Sequence, residues 1–353
     1  MTEVPEGSGH RAAPAVAHPA GERPAAVPPA TPVPFRERLT AWGYEFGWAV
    51  LCRVPEAWAA AVFRYAGDIA WRRQGPGVQR LEANLRRVIG WDATGKELRA
   101  LSREAMRSYA RYWMELFRLP AIPKERILSG MGMTGEEDTA TGYLAAGRGV
   151  IFALPHLGNW DHAGAWLAAR GLPFTTVAER LKPETLYERF VAFREGLGME
   201  VLPATGGTDR FGALARRLRA GGLVCLLADR DVTGGGIEVE FFGERARMMG
   251  GPAALAVQTG AALMPATLWF TDGGWGARIF PEIPVPDGGN RREKVAVMTQ
   301  RLAEVFEAGI AEHPADWHML QRVFSADFDP ALASAPQPGD DAAGGPRPED
   351  GAP

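Results

Sequence analysis

From residue 147 to residue 280 short apolar runs alternate with helical segments, and this alternation restricts the chain to an α/β architecture. β-like runs fall at 149–154, 174–177, 200–202, 223–228, 238–242, 263–270 and 277–280. Helical patterns lie between several of them, near 161–169, 184–197, 208–220 and 251–259, and a last helix is predicted over 291–312. The expected fold is α/β: a central, mostly parallel or mixed sheet of about seven strands flanked by helices, preceded by an N-terminal helical region.

That helical region is rich in aromatics. Residues 35–52 and 55–73 read as two helices carrying Trp42, Phe46, Trp48, Trp58, Phe63, Tyr65 and Trp71, interrupted at Arg53 and Pro55. Two roles are open for them. They are core helices beneath a lid, or an amphipathic element on a membrane with aromatics at the interface and Arg72-Arg73 at the headgroups. Helices are also predicted over 78–89 and 98–119, the second stopped by Pro120 and Pro123, and a Gly-rich connection then leads to Gly147. Residues 1–34 are rich in Ala and Pro and are expected to be disordered, as is the acidic tail 331–353.

Composition excludes several classes. Glu3 and Glu6 stand where a secretory signal carries basic residues, and no hydrophobic segment follows them. No uncharged apolar run reaches the roughly 18 to 20 residues that span a bilayer, so a cytosolic or peripheral protein is expected. Cys52 and Cys225 both sit in apolar runs, which argues against a disulfide framework. The net charge is −3, but residues 325–353 hold six acids and one Arg, and residues 1–34 three acids and two Arg. The part between is thus basic by about +3. That suits an anionic ligand or a membrane surface and is too weak for nucleic acid.

Chemistry concentrates at residues 150–162. Val150 to Leu154 reads as a buried strand that stops at Pro155; His156 follows, Gly158 and Asn159 are turn and N-cap residues, and a helix starts near Asp161. His156 is thereby expected on a loop at a strand's carboxyl end, where open α/β sheets bind ligands. Asp161, in the first helical turn, is expected to reach back to the imidazole as its orienting partner. No serine occurs between Ser129 and Ser325, which excludes a Ser-His-Asp hydrolase across the α/β part. Cys225 lies in a predicted buried strand and reads as packing. A His156 base therefore has to activate a hydroxyl of the substrate, in direct group transfer without a covalent enzyme intermediate. There is no H-E-x-x-H, no Cys pair, no G-x-G-x-x-G and no Walker sequence, so neither a metal nor a bound cofactor is expected.

Charged clusters recur after the predicted strands: Glu179-Arg180 with Lys182 close behind, and Asp229-Arg230-Asp231. In a mostly parallel sheet these ends gather beside His156 as one anionic-ligand site. Arg194 and Gly206-Gly207-Thr208 are further candidates, the latter as an anion site at a helix N-terminus.

His156-Leu-Gly-Asn-Trp-Asp161 resembles the H-x4-D box of the glycerolipid acyltransferase superfamily. The wording is closest to the branch of lipid A lauroyl/myristoyl acyltransferases and phosphatidylinositol mannoside acyltransferases. Glu179-Arg180, Phe193-Arg194 with Gly198, Asp229-Arg-Asp231, Phe241-Phe-Gly with Ala246, Gly251-Pro-Ala and the Arg111–Pro120 stretch also resemble that branch. The closing Asp316-Trp-His-Met-Leu-Gln321 favours the mannoside enzymes. The resemblance implies transfer of a fatty acyl group, typically palmitoyl, from acyl-CoA to a mannose hydroxyl of a phosphatidylinositol mannoside. It implies a peripheral enzyme on the cytoplasmic face of the plasma (inner) membrane, with coenzyme A thioester as co-substrate. His156 would be the base and Asp161 its partner; Glu179, Arg180, Arg194, Asp229, Arg230 and Asp231 would shape the substrate site. Arg180 or backbone amides would stabilise the oxyanion, and Asp229–Asp231, or less directly Glu238, would supply a second acid to His156. One acyltransferase domain is expected over 35–330, with a membrane-facing helical part at 35–120 and an α/β catalytic part at 147–324. The alternatives are a lipid A-type enzyme using an acyl-carrier-protein donor and an inactive lipid-binding module.

Overall fold

The computed structural model describes residues 50–178, 191–203, 210–231 and 234–328. The predicted leader 1–34, nearly all of the predicted 35–52 helix, the start of the 184–197 helix and the tail 331–353 lie outside these residues.

Three helices open the described chain: α1 (Glu56–Arg73), α2 (Pro76–Ile89) and α3 (Gly95–Arg118). Pro76 at the first position pre-sets the φ of α2 and costs no hydrogen bond there. Thr94 and Glu97 close a capping box at the start of α3. Val78, Leu81 and Leu85 of α2 pack against Ala105 and Met106 of α3. Asp68 of α1, buried at this seam, takes two hydrogen bonds each from Arg103 and Arg107. Those guanidinium bonds hold its carboxyl far below the usual carboxylate range. The other side of α1 is bare: Trp58, Val62 and Tyr65 are 73%, 64% and 63% exposed at i, i+4 and i+7. α1 is thus packed on one side and carries the exposed Trp58, Val62 and Tyr65 on the other, uncovered by the described residues.

The next segment corrects the expected Gly-rich connection. It holds α4 (Lys124–Ser129), strand β1 (Met131–Gly135) and α5 (Glu137–Ala145). These elements are short, and the Met-Gly-Met-Thr-Gly of β1 lacks the β-branched alternation that marks a strand; pairing with a neighbour makes it one.

The α/β part then runs β2 (Val150–Leu154), α6 (Trp160–Ala169), β3 (Phe174–Ala178), β4 (Met199–Pro203), α7 (Arg210–Arg219) and β5 (Leu223–Leu227). It continues with β6 (Ile237–Phe241), β7 (Glu244–Met248), α8 (Gly251–Thr259), β8 (Ala262–Thr271), β9 (Gly274–Ile279) and α9 (Arg291–Glu312). Seven strands form one sheet in the order β1-β9-β8-β2-β5-β3-β4, parallel at every pairing except β8–β9. The mixed seven-strand sheet matches the expected fold, with one substitution. The predicted strand at 238–242 leaves the sheet and pairs with β7 in a separate hairpin, while β1 takes the seventh place. Phe242 and Gly243, with φ of 50° and 73°, make the two-residue turn of that hairpin.

Helices cover both faces of the sheet, which is why β2 is buried along its whole length. Ile151, Ala153 and Val224 face α7, α8 and α9; Phe152, Leu154 and Leu223 face α4, α5 and α6. No helix among the described residues is long and apolar enough to cross a membrane.

Candidate active site

The strand β2 delivers His156, and its neighbour β5 delivers an acid. Leu154 pairs with Leu227, and the amide of Ala228 donates to the Leu154 carbonyl at 2.8 Å. Two residues further along each strand, His156 and Asp229 therefore come side by side. The His156 amide donates to Asp229 Oδ2 at 2.9 Å, and His156 Nδ1 lies 2.5 Å from Asp229 Oδ1. The indole Nε1 of Trp317 donates to Oδ2 at 3.0 Å. A carboxylate only accepts, so Nδ1 carries the imidazole proton and Nε2 keeps its lone pair. Asp229 is wholly buried. Burial alone would raise its pKa, but the adjacent His156 and the hydrogen bonds from His156 and Trp317 outweigh it and keep the carboxyl below its usual value.

A returning C-terminal segment locks the loop. His318 donates its amide to the His156 carbonyl at 2.8 Å, and Gly158 donates to the Asp316 carbonyl at 2.9 Å. Leu157 and Trp317 form an antiparallel bridge, which aims the indole at Asp229. Gly158 is required here: its φ is 62°, and a Cβ would stand 2.7 Å from the Leu268 carbonyl carbon. Asn159 caps α6 as expected, accepting from the His162 amide at 2.9 Å.

Asp161 is placed differently from the expectation. Its Oδ1 accepts from Arg194 Nε at 2.7 Å, and its Oδ2 accepts from Arg194 Nη2 at 3.1 Å and from the Tyr112 hydroxyl at 2.8 Å. The hydrogen bond to the imidazole belongs to Asp229 instead. The Asp161 carboxylate holds the Arg194 guanidinium in a bidentate fork on the wall of the site. Burial, and then the Asp161 charge, push the Tyr112 hydroxyl well above its ordinary pKa, so it stays a neutral donor.

The remaining candidates divide. Arg194 and Arg230 line the same cavity as His156 and Asp161. Asp231 does not line it; its side chain accepts from the amides of Gly234 and Gly236 and shapes the loop. Glu238 lies on the β6–β7 hairpin facing Arg245, so it supplies no acid to His156. Glu179, Arg180 and Gly206-Gly207-Thr208 lie outside the described residues. Trp317 and Tyr112 were not assigned from sequence, although both sit in stretches that resemble the family. Their distance along the chain from His156 hid what they touch. His162, the other histidine of residues 150–162, is fully buried and stacks on Trp275 at 3.4 Å. Burial pushes its pKa down to about 3, which fits a packing role.

His156 opens onto a cavity of about 540 Å³ beneath α6. Phe152 and Leu154 of the sheet, Trp166 of α6, Phe174 and Met199 line its apolar part. Gly164 lets the wall close, because a Cβ there would stand 2.8 Å from Met199 Cε and 2.9 Å from Phe174 Cζ. Cys225 also lines it, but burial pushes its thiol far up, away from nucleophilic use. No group of three His, Cys, Asp or Glu side chains among the described residues is arranged to hold a metal ion. An oriented imidazole on the wall of a largely apolar cavity is suited to transferring an apolar chain onto a hydroxyl.

The family model for bacterial lipid A biosynthesis acyltransferases matches residues 33–326. A phosphatidylinositol mannoside acyltransferase of Mycolicibacterium smegmatis is 48% identical over 297 residues, covering 84% of this chain and 95% of the relative. One from Mycobacterium tuberculosis is 47% identical over 293 residues, covering 82% and 90%. The chain belongs to the phosphatidylinositol mannoside acyltransferase family. It is an acyltransferase. In the acyltransferase, Glu115 braces the candidate site from below: it accepts from Asn159 Nδ2, Trp275 Nε1 and Arg111 Nε, each at 2.7 Å.

Proposed function

We propose that the enzyme transfers a long-chain, palmitoyl-length acyl group from acyl-CoA to a mannose hydroxyl of a phosphatidylinositol mannoside. One observation carries this reading: the imidazole of His156 is oriented through Nδ1 by a buried carboxylate and lines an apolar cavity. The relatives' activity supports the acceptor. Nε2 of His156 takes the proton of the mannose hydroxyl as its oxygen bonds to the thioester carbonyl carbon. The C–S bond then breaks, the thiolate leaves, and the proton passes from Nε2 to sulfur, giving an ester and free coenzyme A. Asp229 stabilises the imidazolium formed in between. Arg194, Arg210 and Arg230 put positive charge on the cavity wall, suited to donor phosphates and to the developing oxyanion. We read residues 35–330 as one acyltransferase domain, in keeping with the family match at 33–326.

The test is a panel of donors and acceptors read by mass spectrometry. Palmitoyl-CoA with a phosphatidylinositol mannoside is expected to yield the acylated mannoside. Transfer only from acyl-carrier protein, and only onto a lipid A precursor, would overturn the reading in favour of the lipid A-type enzyme.

The acceptor is a membrane lipid, and α1 presents the surface that fits a bilayer. Trp58, Val62 and Tyr65 face solvent, with Arg72 and Arg73 in the last turn of the same helix. This supports peripheral attachment, on the cytoplasmic face where coenzyme A thioesters are available. Replacing Trp58 and Tyr65 together by Glu is expected to weaken co-sedimentation with anionic liposomes by roughly tenfold or more, given the free energy of burying aromatic side chains. Unchanged sedimentation would remove α1 from the attachment. Trp42 and Trp48, the other aromatics expected at the membrane, lie outside the described residues.

A further inference from the structure

We infer that the ion pair between Glu137 and Arg170 closes the far end of the cavity and sets the longest acyl chain the enzyme transfers efficiently. The inference rests on the reading of that cavity as the acyl site. α6 is its roof: it starts at Trp160, four residues after His156, and ends at Ala169, with Arg170 as its C-cap. Ten helical residues span about 15 Å, so Arg170 sits one helix length from the chemistry. α5 supplies the side wall, with Glu137, Ala140, Thr141 and Leu144 lining the cavity at i, i+3, i+4 and i+7.

Glu137 is the charged member of that row, and it faces both ways. It lines the apolar cavity, yet its side chain is 25% exposed and lies 2.5 Å from the Arg170 guanidinium, itself 41% exposed. Arg170 in turn lies over the ring of Trp166, 4.7 Å from its centroid, and Trp166 is a buried wall residue. The pair is therefore a plug between the greasy interior and water. Each methylene buried along the cavity strengthens binding by roughly fourfold. A methylene that reaches the plug gains nothing of the kind: it must desolvate a charged pair or pry the pair apart. The benefit of a longer chain ends at that point. Because exposed ion pairs contribute little to stability, the plug can be removed without dismantling the fold.

The test is a competition assay with an equimolar mixture of C14 to C22 acyl-CoA donors, the products being counted by mass spectrometry. Arg170→Ala and Glu137→Ala are each expected to raise the ratio of C18 to C16 product by roughly tenfold, about the gain from two added methylenes. Exchanging the charges, with Glu137→Arg and Arg170→Glu in one chain, rebuilds the pair and is expected to return the ratio towards that of the wild type. A wild-type ratio in both single variants overturns the proposal, as does a ratio that stays high in the exchanged chain. Failure of the wild type to use any acyl-CoA overturns the functional reading instead, so the two failures are distinct.

Discussion

The His156→Ala variant is expected to lose acyl transfer by roughly 10³-fold, the scale set by removing a positioned general base. His156 is the group that the geometry prepares for this task. Nδ1 is 2.5 Å from Asp229 Oδ1, which commits the proton to that side and leaves the Nε2 lone pair for the substrate hydroxyl. The Cys225 thiol is pushed far up by desolvation, and no serine lies between Ser129 and Ser325, so a neighbouring nucleophile does not take over. The measurement is the initial rate of radiolabelled palmitoyl transfer to the mannolipid, with acyl-CoA binding followed in parallel. The cavity that holds the chain is lined mainly by side chains other than His156, so binding is expected to survive. A variant that keeps more than about a tenth of the wild-type rate would remove His156 from the role of base.

The second large effect separates the two aspartates. Asp229→Asn is expected to lower kcat by about 10² to 10⁴-fold. The amide of asparagine can donate to Nδ1, which moves the imidazole proton to Nε2 and turns the base into a donor. The residue is also fully buried and bonded to the His156 amide and the Trp317 indole, so the exchange leaves few ways to adapt. Asp161→Asn acts elsewhere. It removes the charge opposite Arg194 but keeps an acceptor for Tyr112, so the loss is expected mainly in KM, by roughly tenfold. Steady-state kinetics of the two variants side by side decide the matter. A larger kcat loss for Asp161→Asn than for Asp229→Asn would return the orienting role to Asp161.

The alternation of apolar runs from 147 to 280 carried the fold class, because burial on both faces of a parallel sheet leaves that pattern in the chain itself. The seventh strand was less legible. A strand at 238–242 is expected in the sheet, yet among the described residues β6 pairs with β7 in a separate hairpin, and the place goes to β1, whose residues carry little strand signal. Strand propensity reports a pleated, half-buried surface and does not name the partner. The aromatic helices show the same division. Periodicity marked 55–73 as helical, but which side of α1 is covered depends on α3, which meets it through Asp68 and two arginines.

Within the site, everything local was readable. Val150–Leu154 is a strand, Pro155 ends it, His156 stands on the following loop, and Asn159 caps α6, each dictated by residues within a few positions of one another. The identity of the acid beside the imidazole was not local. Asp161 is five positions from His156, the natural partner by proximity along the chain alone. Asp229 is 73 positions away, and it reaches the imidazole because β2 and β5 are neighbours in register, Leu154 against Leu227. Trp317 arrives from further still, on a segment that pairs with Leu157. The sequence alone thus determined the turn that presents His156, since backbone conformation and capping are decided by adjacent residues. Only the tertiary structure decided which carboxylate holds the His156 imidazole, because strand order and register depend on how whole elements bury their faces against one another.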